Sequence, residues 1–290
     1  MKPQKQINYK QTYFWMSLAM FSWAIAWTNA KIVGEYLSFY NLVFFRFLLG
    51  FLSLLPFIII KKNPFPKMVD LKYILIPSLL FFVYNIAFFK GTHYGLAGTG
   101  GVLVTTLNPL CTIFIMSLIN KRIIKKEVVG IFLGVIGGII IMNLHKEGMV
   151  NILNSNNIYF IICAITWGVM TVSVNYAQKR INPYIFICLC YLFTMIISIP
   201  FTNLGELNMS DLDFRFYFNF FLVSIGAMSF GTSIYIYSTP ILGPAKVSVF
   251  IFSVPFIAMG TAYIVLNEPF TINIVIGGLL SLLSIYIVNK

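Results

Sequence analysis

Apolar runs of about twenty residues, separated by short polar breaks, recur about every thirty residues along the whole chain. A hydrocarbon core about 30 Å thick takes about 20 helical residues to cross, so each run matches one membrane crossing. The runs fall at 12–33, 38–60, 71–91, 96–119, 124–144, 155–177, 183–202, 214–238, 244–266 and 271–289. Inside lipid every backbone N–H and C=O must be paired, and a helix does this within one segment. The pattern therefore predicts an all-α membrane protein of ten transmembrane helices, with little chain left for a soluble domain.

A faint internal copy refines that picture. Trp23, Tyr40, Leu48, Pro56 and Phe57 recur at one constant offset as Trp167, Tyr184, Leu192, Pro200 and Phe201. The offset spans an odd number of crossings, so the two copies face opposite ways. Inverted repeats flanking a midplane site are the architecture of many secondary transporters. The polar break at His145 to Asn157 divides the chain into two five-helix repeats, 1–146 and 147–290, expected to enclose a central cavity. At a slightly larger offset Pro109 superimposes on Pro255. A mid-span proline removes a backbone hydrogen bond and bends the helix, and such helix kinks often line transport cavities. A tolerated packing kink is the alternative at either position.

Composition agrees with a bilayer: 59% of residues are hydrophobic, 10% are charged and the mean hydropathy is +0.88. The net charge of +12 is distributed as an orientation signal. Lysine and arginine concentrate at the termini and in the breaks holding Lys61, Lys67, Lys121, Lys126, Lys179, Arg180 and Lys246, which places both termini in the cytoplasm of an inner (plasma) membrane protein. No basic stretch is interleaved with aromatics outside the spans, so nucleic acid is not an expected partner. The first run is too long for a cleaved signal peptide. Cys111, Cys163, Cys188 and Cys190 fall within spans as small hydrophobes, and neither a metal nor a cofactor is expected.

Polar groups deep in a span are costly unless they face protein or water, so they mark the candidate substrate site. Thr105, Asn108 and Thr112 share a face beside Pro109, and Ser229, Ser233 and Tyr237 share one in the eighth span. Tyr84 and Asn85 add hydrogen-bonding capacity in the third. Trp23, Trp27 and Trp167 lie at midplane depth, away from the interface that tryptophan prefers. The expected substrate-binding set is Trp23, Trp27, Tyr84, Asn85, Thr105, Asn108, Trp167, Ser233 and Tyr237, with interhelical hydrogen bonding as the alternative role. Arg46 is the one charge well inside a span, a candidate anion contact or a residue that bonds helix ends and snorkels. No acid is expected at mid-membrane, which argues for uniport, exchange or downhill efflux rather than tight proton coupling. Gly130, Gly134 and Gly138, with Gly277 and Ser281 in the tenth span, form small-residue faces for close helix packing.

These residues resemble the drug/metabolite transporter superfamily, and within it the EamA-like ten-helix transporters. The resemblance rests on Ser22-Trp23 and Thr166-Trp167-Gly168 in the first helix of each repeat, Phe44-Phe45-Arg46-Phe47 in the second, and Leu266-Asn267-Glu268-Pro269 before the last. It implies an inner-membrane carrier moving small organic solutes by alternating access: amino acids, nucleobases, S-adenosylmethionine-like or drug-like compounds in an aromatic, uncharged cavity. Lys121-Arg122 stands where a first-repeat partner of Glu268 is expected, so a matched acidic pair is absent. A lipid-modifying enzyme lacks support, because His93 and His145 fall in breaks and neither a Walker A nor an H-E-x-x-H motif occurs. A passive channel is the other alternative. Two repeats already close one cavity, so a monomer is expected, with a glycine-faced dimer as the other possibility.

Overall fold

A computed structural model describes residues 9–61, 65–121, 125–141, 156–206, 209–242, 250–251 and 253–289. Arg122, His145, Glu147 and Lys246 lie outside the described residues, as does the boundary between the expected repeats. Among the described residues every regular element is helical. The helices are α1 (Tyr9–Val33), α2 (Phe39–Lys61), α3 (Lys72–Tyr94), α4 (Ala97–Asn120), α5 (Lys125–Ile141), α6 (Ile158–Ala177) and α7 (Pro183–Ser198). A composite helix, α8, runs through Phe214–Phe221, a π-helical stretch Leu222–Thr232, and Ser233–Leu242. Then follow α9 (Val254–Leu266) and α10 (Ile272–Asn289).

Among the described residues six segments are long and apolar enough to cross a membrane: Phe39–Ile60, Met68–Tyr94, Ala97–Ile119, Ile158–Ala177, Pro183–Phe201 and Phe214–Ser238. Val128–Ile141, Val254–Leu266 and Ile272–Ser284 are shorter apolar helices. Helix α5 packs along α10, α2 along α7 and α4 along α9. Helix α1 lies against the wide stretch of α8 and against α9, while α6 lies against α3 and α4.

Local chemistry sets the helix ends. Asn182 caps α7 by accepting the Tyr184 N–H at 3.0 Å, with Pro183 in the first turn where its missing N–H costs nothing. Asp213 caps α8, accepting the Phe216 N–H at 2.8 Å and the Tyr36 hydroxyl at 3.1 Å. The Phe216 N–H holds the Asp213 carboxyl below the usual carboxylate range. A depressed carboxyl pKa means that the tie is present at neutral pH and disappears as pH falls through that depressed value. We expect Asp213→Ala to lower the protection of the Phe216 amide, measured relative to its intrinsic exchange rate, several-fold at neutral pH and to remove the acid dependence of that protection; unchanged protection would contradict the cap.

The prolines behave differently from one another. Helix α4 continues through Pro109, which lies in its interior. Pro255 sits instead in the first turn of α9, after a turn at Ser253, so the expected kink inside a continuous ninth span is corrected to a helix start. The ring needs no partner there because first-turn N–H groups have none within the helix.

Glycine provides the close approach of α5 and α10. A methyl at Gly277 would meet the Gly137 carbonyl oxygen and Ile141, and one at Gly134 would run into Leu110. Ser284 donates its hydroxyl to the Gly130 carbonyl across the same seam. Gly277→Leu is expected to destabilise the protein by about 1–3 kcal/mol through overpacking, read as a lower unfolding temperature in detergent. A neutral result would mean that the seam can part.

Candidate functional site

Helices α1, α2, α3, α4, α6, α8 and α9 meet around one cavity of about 60 Å³. Its aromatic wall comes from α1, α3 and α6: Trp23, Trp27, Tyr84 and Trp167, joined by Phe81 and Phe88. Trp23 meets Trp167 edge-on at 5.6 Å between ring centroids, and Tyr84 sits 4.9 Å from Trp167. Trp27 packs edge-on to Phe88 at 4.8 Å and is 3% exposed. Thr105 and Asn108 reach the same cavity from α4. The Thr105 hydroxyl already donates to the Gly101 carbonyl one turn back, so it faces the cavity as an acceptor.

Arg46 enters from α2, buried at 6% exposure. Its Nε donates to the Val223 carbonyl at 3.2 Å, and its Nη1 donates to Asn85 Oδ1. The guanidinium carbon lies 5.1 Å from the Phe88 ring centroid and 5.5 Å from that of Phe89. Asn85 is itself oriented by donating from Nδ2 to the Phe81 carbonyl at 2.8 Å. Those two contacts leave further N–H donors on a fork of five. Among the described residues no aspartate or glutamate lines the cavity. The cavity is therefore aromatic with a fixed cation, which corrects the expectation of an uncharged site.

The remaining wall is the π-helical stretch of α8. A π-helix has a wider turn, closing hydrogen bonds five residues apart, and such segments often mark functional sites. Its carbonyls here accept bonds from three neighbouring helices. Arg46 bonds Val223 O, the Trp23 indole Nε1 bonds Ala227 O at 3.0 Å, and the Tyr191 hydroxyl bonds Met228 O at 2.8 Å. Ala227 and Thr232, five apart, both line the cavity.

That wider turn accounts for the residues placed elsewhere. Ser233 lies in a second, lateral cavity with Ser229, and Tyr237 is 45% exposed with its ring 5.6 Å from Tyr184. Ser229 and Ser233 keep a common face, but it is turned to the lateral cavity, because the wide turns that precede Ser233 rotate it away from the central one. So Trp23, Trp27, Tyr84, Asn85, Thr105, Asn108, Trp167 and Arg46 are brought together, while Ser233 and Tyr237 are not. Thr232, expected beside the Ser229–Ser233 face, does reach the cavity, whereas Phe81, Phe88 and Met228 were not singled out from the sequence. Phe81, Asn85 and Phe88 stand at helical spacing around Tyr84, and that periodicity was the available signal.

A buried ion pair closes one end of the bundle. Asn267 adopts a left-handed conformation at φ 54°, ending α9 and letting the Glu268 N–H reach back to the Ala262 carbonyl at 3.3 Å. The reversal swings the Glu268 side chain onto the start of α4. One carboxylate oxygen accepts the Ala97 N–H at 2.8 Å and the other accepts the Gly98 N–H at 2.9 Å. Lys31 from α1 donates to Glu268 at 2.8 Å and to the Gly95 carbonyl at 2.9 Å. Three separate stretches of chain, at Lys31, Gly95–Gly98 and Glu268, are tied at this point, and Glu268 is 7% exposed.

The chain matches the EamA-like transporter family at residues 10–143 and again at 154–290. It is 22% identical over 289 residues to a protein of Archaeoglobus fulgidus named as an uncharacterized transporter, covering 96% of each chain. Its fold is similar to that of a solved crystal structure at a TM-score of 0.67 and 14% identity, covering 96% of both chains. The apolar helices and these matches make it a multi-pass membrane protein, and the chain belongs to the EamA-like transporter family.

Proposed function

We propose that the protein is a secondary transporter that moves a small organic solute bearing a carboxylate or similar anionic group by alternating access. One observation carries the substrate class: Arg46 lines an aromatic cavity whose described lining has no acid to neutralise it. A buried cation is costly unless paired, and a bidentate guanidinium matches a carboxylate. The ring faces of Trp23, Tyr84 and Trp167 would hold the apolar part of the same solute. Amino acids and other zwitterions fit this site better than purely cationic drugs.

Ten crossings arranged as inverted repeats, 1–146 and 147–290, with both termini cytoplasmic, form the carrier in this reading. The double match to one family supports it. So does the packing: exchanging each helix of α1–α5 with its equivalent in α6–α10 turns the α1–α8 contact into α6–α3 and the α1–α9 contact into α6–α4. A cavity of about 60 Å³ holds only a few waters, so an organic solute needs the helices to part. Lys31 and Glu268 tie α1 and the end of α9 to the start of α4 in this conformation, a contact that such a parting has to accommodate. Among the described residues no acid lines the cavity, so transport is expected to ignore an imposed pH gradient.

The test is counterflow uptake of labelled carboxylated metabolites into proteoliposomes. Saturable, trans-stimulated uptake that disappears in a Trp23→Ala, Asn108→Ala double variant is the expected result. Conductance without trans-stimulation would make the protein a channel and overturn the proposal.

A further inference from the structure

The π-helical wall has a second side. Behind it, between α2, α7 and α8, lies a cavity of about 330 Å³, against about 60 Å³ for the central one. Its size reaches the lower range of small-molecule sites, about 300–1,000 Å³. Leu54, Phe57, Ile225, Phe230 and Ile234 make its lining apolar. It borders lipid-facing surface: Phe57 is 56% exposed on a segment of membrane-crossing length and composition. Lipid is therefore the medium at its mouth, and whatever enters comes from the bilayer.

The polar groups inside narrow the occupant. Ser53 and Ser229 satisfy each other at 2.7 Å, whereas the Ser233 hydroxyl is buried without a hydrogen-bond partner. A helical serine in lipid ordinarily bonds the carbonyl four residues back. For Ser233 that carbonyl belongs to Ser229, inside the π-helical stretch, where the wider turn displaces it. A hydroxyl left unpaired in an apolar site favours a ligand that brings an acceptor. Bare hydrocarbon fills the volume but leaves this donor unmet.

We propose that this lateral cavity is a second binding site, one that takes a single-chain amphiphile from the adjoining leaflet. The hydrocarbon chain lies against Leu54, Phe57, Ile225 and Ile234, and a carbonyl oxygen of its polar group accepts from Ser233, whose hydroxyl rotates towards it from the sealed position it holds here. The occupant braces the wall from behind, because the same stretch carries Ala227, Met228 and Thr232 into the central cavity. Binding at this site does not depend on the carrier reading of the central cavity.

The probe is palmitic acid bearing a diazirine, photolysed with the purified protein in phosphatidylcholine nanodiscs. Saturable labelling confined to peptides containing Leu54–Phe57 and Ile225–Ile234 is expected. Lysophosphatidylcholine of the same chain should compete if the acyl carbonyl is what Ser233 recognises, and failure to compete would restrict the site to free fatty acids. Ser233→Ala should weaken labelling several-fold, and Ile234→Trp, which fills the cavity, should abolish it while the unfolding temperature stays near that of the parent. Labelling that is unsaturable, spread over all lipid-facing helices and unchanged in Ile234→Trp would mean ordinary boundary lipid and would overturn the proposal. Counterflow is measured separately on the same preparations, so a failed carrier reading and a failed lateral site give different results.

Discussion

Glu268→Ala is expected to lower stability by about 3 kcal/mol, more than Lys31→Met does. Truncating the carboxylate leaves the Ala97 and Gly98 N–H groups and the Lys31 ammonium without their acceptor. Breaking a buried pair from one side costs about 3–5 kcal/mol, and the lower end applies because the Lys31 side chain keeps 24% exposure. Lys31→Met removes one donor and leaves Glu268 on two amides at the start of α4, where a negative charge is favoured by the helix dipole. The asymmetry is the test: detergent unfolding should rank Glu268→Ala below Lys31→Met, and both below the parent. Equal, small effects would show that the contact is not what ties α1, α4 and α9 together.

Arg46→Gln is expected to reduce transport of a carboxylated solute by about 10- to 150-fold. The estimate is the loss of a hydrogen bond to a charged group, about 1.5–3 kcal/mol, converted at about 1.4 kcal/mol per factor of ten. Glutamine can still bond the Val223 carbonyl, which limits the structural damage. Arg46→Lys keeps the charge but loses the planar fork and its stacking on Phe88, so it should recover only part of the loss. A purely structural Arg46 would give a different pattern, with lower unfolding temperature and equal loss for charged and uncharged solutes.

Much of this organisation was legible in the sequence because a bilayer imposes a strict rule. Helices of membrane length leave apolar runs of fixed size, and buried polar residues stand out against them. That is why Trp23, Trp27, Tyr84, Asn85, Thr105, Asn108 and Trp167 could be picked out individually and are found around one cavity. Ser233 and Tyr237 were misplaced because a helical wheel presumes one period, and eleven residues of α8 follow another. The sequence signals that wider turn only faintly, through Gly226, Ala227 and Gly231. Its supports are tertiary: a methyl at Gly231 would meet the Trp23 indole, and the carbonyls are held by Arg46, Trp23 and Tyr191 from elsewhere in the chain. Glu268 was visible as a motif residue, but its partners lie 170 residues or more away and could not be paired by spacing. Pro255 was placed by analogy with Pro109, and the identical residue serves a helix start in one case and a helix interior in the other.

The most direct measurement is counterflow in proteoliposomes using matched solutes that differ only in their anionic group: an amino acid, its amide and its methyl ester. The parent protein should exchange the free carboxylate saturably and prefer it over the amide by at least about tenfold, and Arg46→Gln should erase that preference. Equal exchange of all three solutes by the parent, or a preference that survives in Arg46→Gln, would contradict an anion-binding role for the cation in the central cavity.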